Sequence, residues 1–149
     1  GFNMHRIALR IAAWLVMPAA ATVVFAATAA AQSIGPFMVF FDRGSAVITP
    51  QGQAILDNAA DAYRQSENTQ QQVMIAGHTD LAVAGAHGVT ESQKRANNVR
   101  DYLISRGIPA GVITTEAFGS TRPLLETPAG VLEPQNRRVE ITFGPGSGW

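Results

Sequence analysis

The chain has 149 residues, 46% of them hydrophobic and 15% charged, and it contains no cysteine. That length suits one domain, and the missing thiols exclude disulfides, thiolate nucleophiles, thiolate-bound zinc and lipidation at a cysteine. Eleven basic residues balance eleven acids, but Arg6 and Arg10 lie in an acid-free N-terminal stretch, so the chain beyond residue 31 carries nine against eleven, a net of −2. No basic excess is present to displace counterions from phosphates, which argues against a nucleic-acid partner.

His5, Arg6 and Arg10 precede an apolar run from Ile11 to Ala31 that holds Trp14, Leu15, Val16, Val23, Val24 and Phe25. A basic start and an apolar middle are the profile of a secretory signal peptide. Ala29-Ala30-Ala31 before Gln32-Ser33 is a small-x-small site, so cleavage is expected after Ala31, leaving 149 less 31, or 118, residues. The alternative is an uncleaved membrane anchor, because about 20 residues suffice to span a bilayer. Residues 32–36 read as a short linker, followed by a domain over 37–143 and a flexible tail over 144–149.

Phe37-Met38-Val39-Phe40-Phe41 is a short apolar run, which predicts a strand covered on both faces. It ends in the turn cluster Asp42-Arg43-Gly44-Ser45. Thr49 before Pro50 supplies an N-cap and a proline at the first helical position, and Ile55, Leu56, Ala59, Ala62 and Tyr63 recur at helical spacing, predicting a helix from about Pro50 to Ser66. Val73 to Gly77 predicts a second buried strand, with His78-Thr79-Asp80 at its end. A small-residue loop, Leu81 to Val89, leads to Thr90-Glu91-Ser92-Gln93, which fits a capping box and starts the second helix near Glu91. Arg106-Gly107-Ile108-Pro109 ends that helix. Val112 to Phe118 predicts a third strand, Gly119 to Gln135 a long loop, and the alternating Arg138 to Phe143 a last, half-exposed strand. The order gives a βαβαββ-type two-layer α/β sandwich with helices packed on a mixed sheet. Each helical crossover leaves its two strands parallel, either adjacent or with room for another strand between them.

Ligands of open α/β sheets bind beyond the carboxyl ends of strands, where Asp42 and Asp80 fall. Arg95 lies beside Ala96 of the second helix's apolar stripe, on the helix flank, within reach of the strand end that carries Asp80. A carboxylate beside a planar guanidinium suits an α-amino acid head group: the acid accepts from the ammonium and the guanidinium grips the carboxylate. The same two residues could instead pair with each other as a surface salt bridge. His78 and Asp80 with His87 have metal-ligand types, and His78, Asp80 and Ser92 have the types of a nucleophilic triad. No nucleophile elbow and no three-ligand spacing accompany them, so neither a metal, a cofactor nor a catalytic role is expected, and His78 reads as a strand-ending histidine bonded to loop backbone.

Phe41-Asp42 with Ser45-Ala46, Ile75-Ala76-Gly77-His78-Thr79-Asp80, Ser92, Arg95-Ala96 with Val99, Tyr102-Leu103, Gly107-Ile108, Gly119, Pro123 and Asn136 to Ile141 occur in an order and spacing that resemble the peptidoglycan-binding OmpA-like domain. The resemblance runs from about Phe37 to Phe143. It implies the OmpA-like fold and non-covalent binding of peptidoglycan peptide stems, with the diaminopimelate head group between Asp80 and Arg95. It also implies that Phe41, Asp42, Thr79 and one of Arg137 or Arg138 line the same site; only one of these arginines can face it, since neighbours on a strand point to opposite faces. Gly88 stands where the family usually has an asparagine that contributes to ligand contact, Glu91 where it has a leucine, and His87 where a tyrosine is frequent.

The expectation is therefore a periplasmic, outer-membrane-associated envelope protein whose partner is peptidoglycan, together with an envelope protein as a candidate second partner. One alternative is an inner-membrane anchored module of the flagellar-stator type, although the five residues Gln32 to Pro36 reach at most about 18 Å. Another, from a different class, is a periplasmic hydrolase using His78 and Asp80.

Overall fold

The computed structural model describes residue 19 and residues 34–144, apart from 69 and 84. The leader with its cleavage site and the tail beyond Gly144 lie outside the described residues, residue 19 excepted. Four strands and two helices alternate as β1 (Ile34–Phe40), α1 (Pro50–Gln65), β2 (Val73–His78), α2 (Gly85–Ser105), β3 (Ile113–Gly119) and β4 (Arg138–Phe143), with short 3-10 turns at Ala110–Val112 and Pro134–Asn136. The sheet order is β1-β4-β2-β3. β2 and β3 pair in parallel, while β4 runs antiparallel to both its neighbours. Both crossovers thus match the expected options: β3 lies directly beside β2, and β4 occupies the space between β1 and β2. Among the described residues no helix is long and apolar enough to cross a membrane.

Alternation along each strand sends Val39, Ile75, Val139, Ile141 and Phe143 into one core with Leu56, Ala59 and Tyr63 of α1 and Ala96, Val99 and Leu103 of α2. The opposite face carries Met38 and Ala76 in register with Glu140, and Phe40 opposite Arg138; His78 follows two residues after Ala76 on β2. The expectation that the first strand is covered on both faces is corrected: both helices pack on one side, and Phe40 is 42% exposed on the other. β1 also begins earlier than predicted, so Ile34 to Pro36 of the expected linker belong to the sheet.

Thr49 caps α1 as expected, its Oγ1 accepting from Gly52 N at 3.1 Å. The start of α2 is a second correction. The helix begins at Gly85, and Thr90, read as its cap, lies inside it with Oγ1 donating to the Ala86 carbonyl at 3.0 Å. Gln93 donates to Asn97 Oδ1, not back to a free terminus. The weak helix formers Gly85 to Val89 are packed from outside the helix: Gly88 lies against Thr79 and Val83, and Gly119 against Gly88 and Val89. The far end follows expectation, with Gly107 at φ 99° and Ile108 N donating to the Leu103 carbonyl.

Gly77 lets α2 press against β2. A Cβ at that position would meet the Ser92 carbonyl oxygen at 2.1 Å and its carbon at 2.9 Å, both backbone atoms. The Gly77→Ala variant should lose about 1–3 kcal/mol through forced separation of helix and strand, measured by urea denaturation. An unchanged midpoint would contradict that packing.

Candidate functional site

The end of β2 is tied down before it reaches Asp80. Thr79 N donates to the Gly119 carbonyl at 2.8 Å, and its side chain is spent on Val83. Asp80 is 1% exposed. Its Oδ1 accepts from Ala82 N at 3.2 Å, and its Oδ2 accepts from Glu133 N at 3.1 Å and from Arg137 Nη1 at 2.9 Å. Arg137 in turn donates through Nε to the Phe41 carbonyl at 3.1 Å. One carboxylate thereby joins the β2–α2 loop, the second 3-10 turn and the exit of β1.

Arg95 has no exposure at all. Nε donates to the Ser45 carbonyl at 2.9 Å, Nη1 to the His78 carbonyl at 3.2 Å, and Nη2 to both the Asp42 carbonyl at 3.2 Å and Glu91 Oε1 at 2.9 Å. The guanidinium also lies 5.4 Å from the Phe41 ring centroid. Burial lowers its pKa; the Glu91 carboxylate works against that, Arg137 adds to it, and Asp80 opposes it. The loop after β1 is folded around this cation, which explains why Phe41 and Asp42 lie at the site: Phe41 by its ring and carbonyl, Asp42 by its carbonyl.

Two clefts flank that loop. One, of about 560 Å³, is walled by Phe40, Phe41, Asp42, Thr49, Pro134 and Arg137 among others. The other, of about 340 Å³, is walled by Gly44, Ala46, Val83, His87, Thr90, Glu91 and Lys94. Asp80 and Arg95 lie behind these walls, and Arg137 and Glu91 are the partners through which each charge meets a cleft. The alternative in which Asp80 and Arg95 simply neutralise each other is not what the structure shows; each holds a different partner. Gly88 is constrained locally as well, since a Cβ there would meet the Val83 carbonyl oxygen at 2.6 Å. The family's asparagine therefore does not fit this loop as it stands.

Of the two arginines, Arg137 joins Asp80, and it precedes β4 instead of lying within it. Arg138 is placed elsewhere, on the open sheet face, where Nε donates to Glu140 Oε1 at 3.3 Å. His78 is on that face too, and its ring is not bonded to loop backbone as expected: it stacks on Phe118 at 5.4 Å, with Nε2 3.6 Å from Glu140 Oε2. Ser92 lies on the helix side, its Oγ donating to the Val89 carbonyl and accepting from Gly119 N. The residue types of a triad are thus split by the sheet. Among the described residues no group of three or more His, Asp or Glu is placed to hold a metal. Glu91 was not among the predicted site residues. Its i,i+4 spacing to Arg95 carries the signal, but the expected helix start put it in an uncommitted first turn.

A mixed four-stranded sheet with two helices on one face and a buried acid and arginine at its rim defines an OmpA-like α/β domain. A model of the OmpA family matches residues 40–137, and the chain belongs to that family. It is 35% identical over 111 residues to an outer membrane protein of Gluconacetobacter diazotrophicus, covering 70% of this chain and 29% of that one. It is 34% identical over 110 residues to the probable lipoprotein YiaD of Escherichia coli, covering 74% and 49%. The chain therefore spans half or less of these relatives. Among solved structures, the peptidoglycan-associated lipoprotein of Burkholderia pseudomallei superposes with a TM-score of 0.64 at 26% identity, over 71% of this chain and 88% of that one. The C-terminal domain of Helicobacter pylori MotB shares the fold, with a TM-score of 0.61 at 23% identity over 76% and 87%.

On the open face, the neighbouring His78 imidazole, outweighing the opposing effect of burial, and then Arg138 hold the Glu140 carboxyl below its usual pKa. A depressed carboxylate stabilises the fold above its unfolded pKa, and that contribution is lost as pH falls through the lower folded value. Glu140→Gln should therefore melt below wild type at neutral pH and converge with it in acid, in thermal melts from about pH 7 to about pH 3. An equal deficit at every pH would contradict the assignment.

Proposed function

We propose that this chain is a non-covalent binder of peptidoglycan peptide stems in the cell envelope, and that the diaminopimelate head group exchanges with two partners internal to the protein. The observation that carries the reading is the partnering of the two buried charges. Arg137 places a cation on Asp80 where a ligand ammonium would sit, and Glu91 places a carboxylate on Arg95 where a ligand carboxylate would sit. Because the site is already satisfied from within, an amino acid zwitterion can replace both partners without leaving a buried charge unpaired. Glu91 and Arg137 are less buried than the charges they neutralise, with side chains 17% and 13% exposed against 0% and 2% for Arg95 and Asp80. They are the pieces able to swing outward.

Family membership and the likeness to a structure titled as a peptidoglycan-associated lipoprotein support the ligand class. The names of outer membrane relatives support an envelope location, and an envelope protein remains the candidate second partner. The engagement of Ser92 with backbone, away from His78, favours binding over hydrolysis. A single head-group contact is weak, and the repetition of stems along a polymer raises retention when the protein is itself multivalent or held in place.

The test is co-sedimentation with purified sacculi, competed by free diaminopimelate. Asp80→Asn and Arg95→Lys should lose pelleting. Glu91→Leu removes the internal competitor and should bind roughly fivefold more tightly, about 1 kcal/mol. Pelleting equal to wild type in the first two variants would overturn the site, and release of soluble fragments from the sacculi would point to the hydrolase instead.

A further inference from the structure

The open sheet face holds a third cleft, of about 270 Å³, whose walls include His78, Phe118, Arg122, Leu124, Arg138 and Glu140. It lies across the sheet from the helices and is built from β2, β3, β4 and the loop that follows β3. Its polar side chains are deeply set: His78 is 2% exposed and Arg138 4%. His78 Nδ1 and Arg138 Nη1 are buried and make no hydrogen bond, and His78 Nε2, also buried, has only the Glu140 carboxylate near it, at 3.6 Å. The remaining donors of Arg138 are committed, Nε to Glu140 Oε1 at 3.3 Å and Nη2 to the Arg122 carbonyl at 3.1 Å. Buried donors left without a partner cost free energy, so native structures rarely keep them unless a ligand or a function uses them.

We propose that this cleft is a binding site for a small organic carboxylate, of the kind carried by the C-terminus of a peptide ending in a small apolar residue. Charge and donor count select that class. Two guanidinium groups, those of Arg122 and Arg138, face one carboxylate, that of Glu140, so the arginines and the acid of the walls leave one positive charge unbalanced. Glu116 lies in register with Ala76 on the same sheet face but is exposed and outside the cleft walls. A monoanion restores balance, whereas a phosphate dianion exceeds it. Arg138 Nη1 and an N–H at His78 Nδ1, the ring nitrogen away from Glu140, present two donors, matching the two oxygens of a carboxylate. The stack of His78 on Phe118 and of the Arg122 guanidinium over the same ring, 3.9 Å from its centroid, fixes one wall. Leu124 and Pro123 form an apolar wall for the substituent next to the carboxyl carbon.

The test follows the His78 ring by 1H–15N correlation NMR in the intact chain as N-acetylalanine is added at constant ionic strength. N-acetylalaninamide, which lacks the charge, and inorganic phosphate serve as comparisons. The expected result is a saturable shift of the His78 ring resonances with N-acetylalanine, none with the amide, and binding at least tenfold weaker in Arg138→Gln that retains its circular dichroism. Should that variant not fold, the wild-type comparison between acid and amide decides alone. An unmoved His78 ring, an equal response to the amide, or tighter binding of phosphate would overturn the proposal.

Discussion

A guanidinium with no solvent exposure persists only where protein groups replace its water, and Arg95 is the group around which this end of the domain is arranged. Bringing an ion out of water costs several kcal/mol. Arg95 offsets that with three backbone carbonyls drawn from separate places in the chain, the Glu91 carboxylate and the face of Phe41. The carbonyls of Asp42 and Ser45 belong to the loop after β1, and that of His78 belongs to the last residue of β2. One side chain of α2 therefore sets the path of a loop and the end of a central strand together.

Asp80 performs the complementary task with the opposite charge. It binds two backbone N–H groups and Arg137, so the turn before β4 is held against the end of β2. Both charges are thus satisfied by the protein's own groups. Removing either buried group unties a loop. Glu91 differs, because it belongs to the ring of contacts only through Arg95.

Much of this was legible in the sequence. Thr49-Pro50 marked the start of α1, Arg106 to Pro109 the end of α2, and the alternation from Arg138 marked β4, because each rests on chemistry within a few residues. The start of α2 is not legible, since Thr90 and Gln93 satisfy a capping pattern, and what holds the earlier turn is packing of Gly88 and Val89 against Thr79, Val83 and Gly119. Asp80 and Arg95 were visible as a pair of types at strand end and helix flank. That they hold Arg137 and Glu91 instead of facing open solvent depends on contacts spanning 57 residues in one case and on a helix register in the other. The different placements of Arg137 and Arg138 followed from where β4 begins, a boundary that strand alternation alone leaves uncertain by a residue or more. Nothing local to His78 reveals its stack with Phe118, which forms only once β2 and β3 are paired.

The most direct test of the exchange is a crystal structure of the domain with a diaminopimelate-containing stem peptide. The account predicts the ligand ammonium on Asp80 Oδ2 in place of Arg137 Nη1, and the ligand carboxylate on Arg95 in place of Glu91, with the carbonyls of Asp42, Ser45 and His78 still bound to the guanidinium. A peptide seated elsewhere, with the Asp80–Arg137 and Arg95–Glu91 pairs both intact, would contradict it.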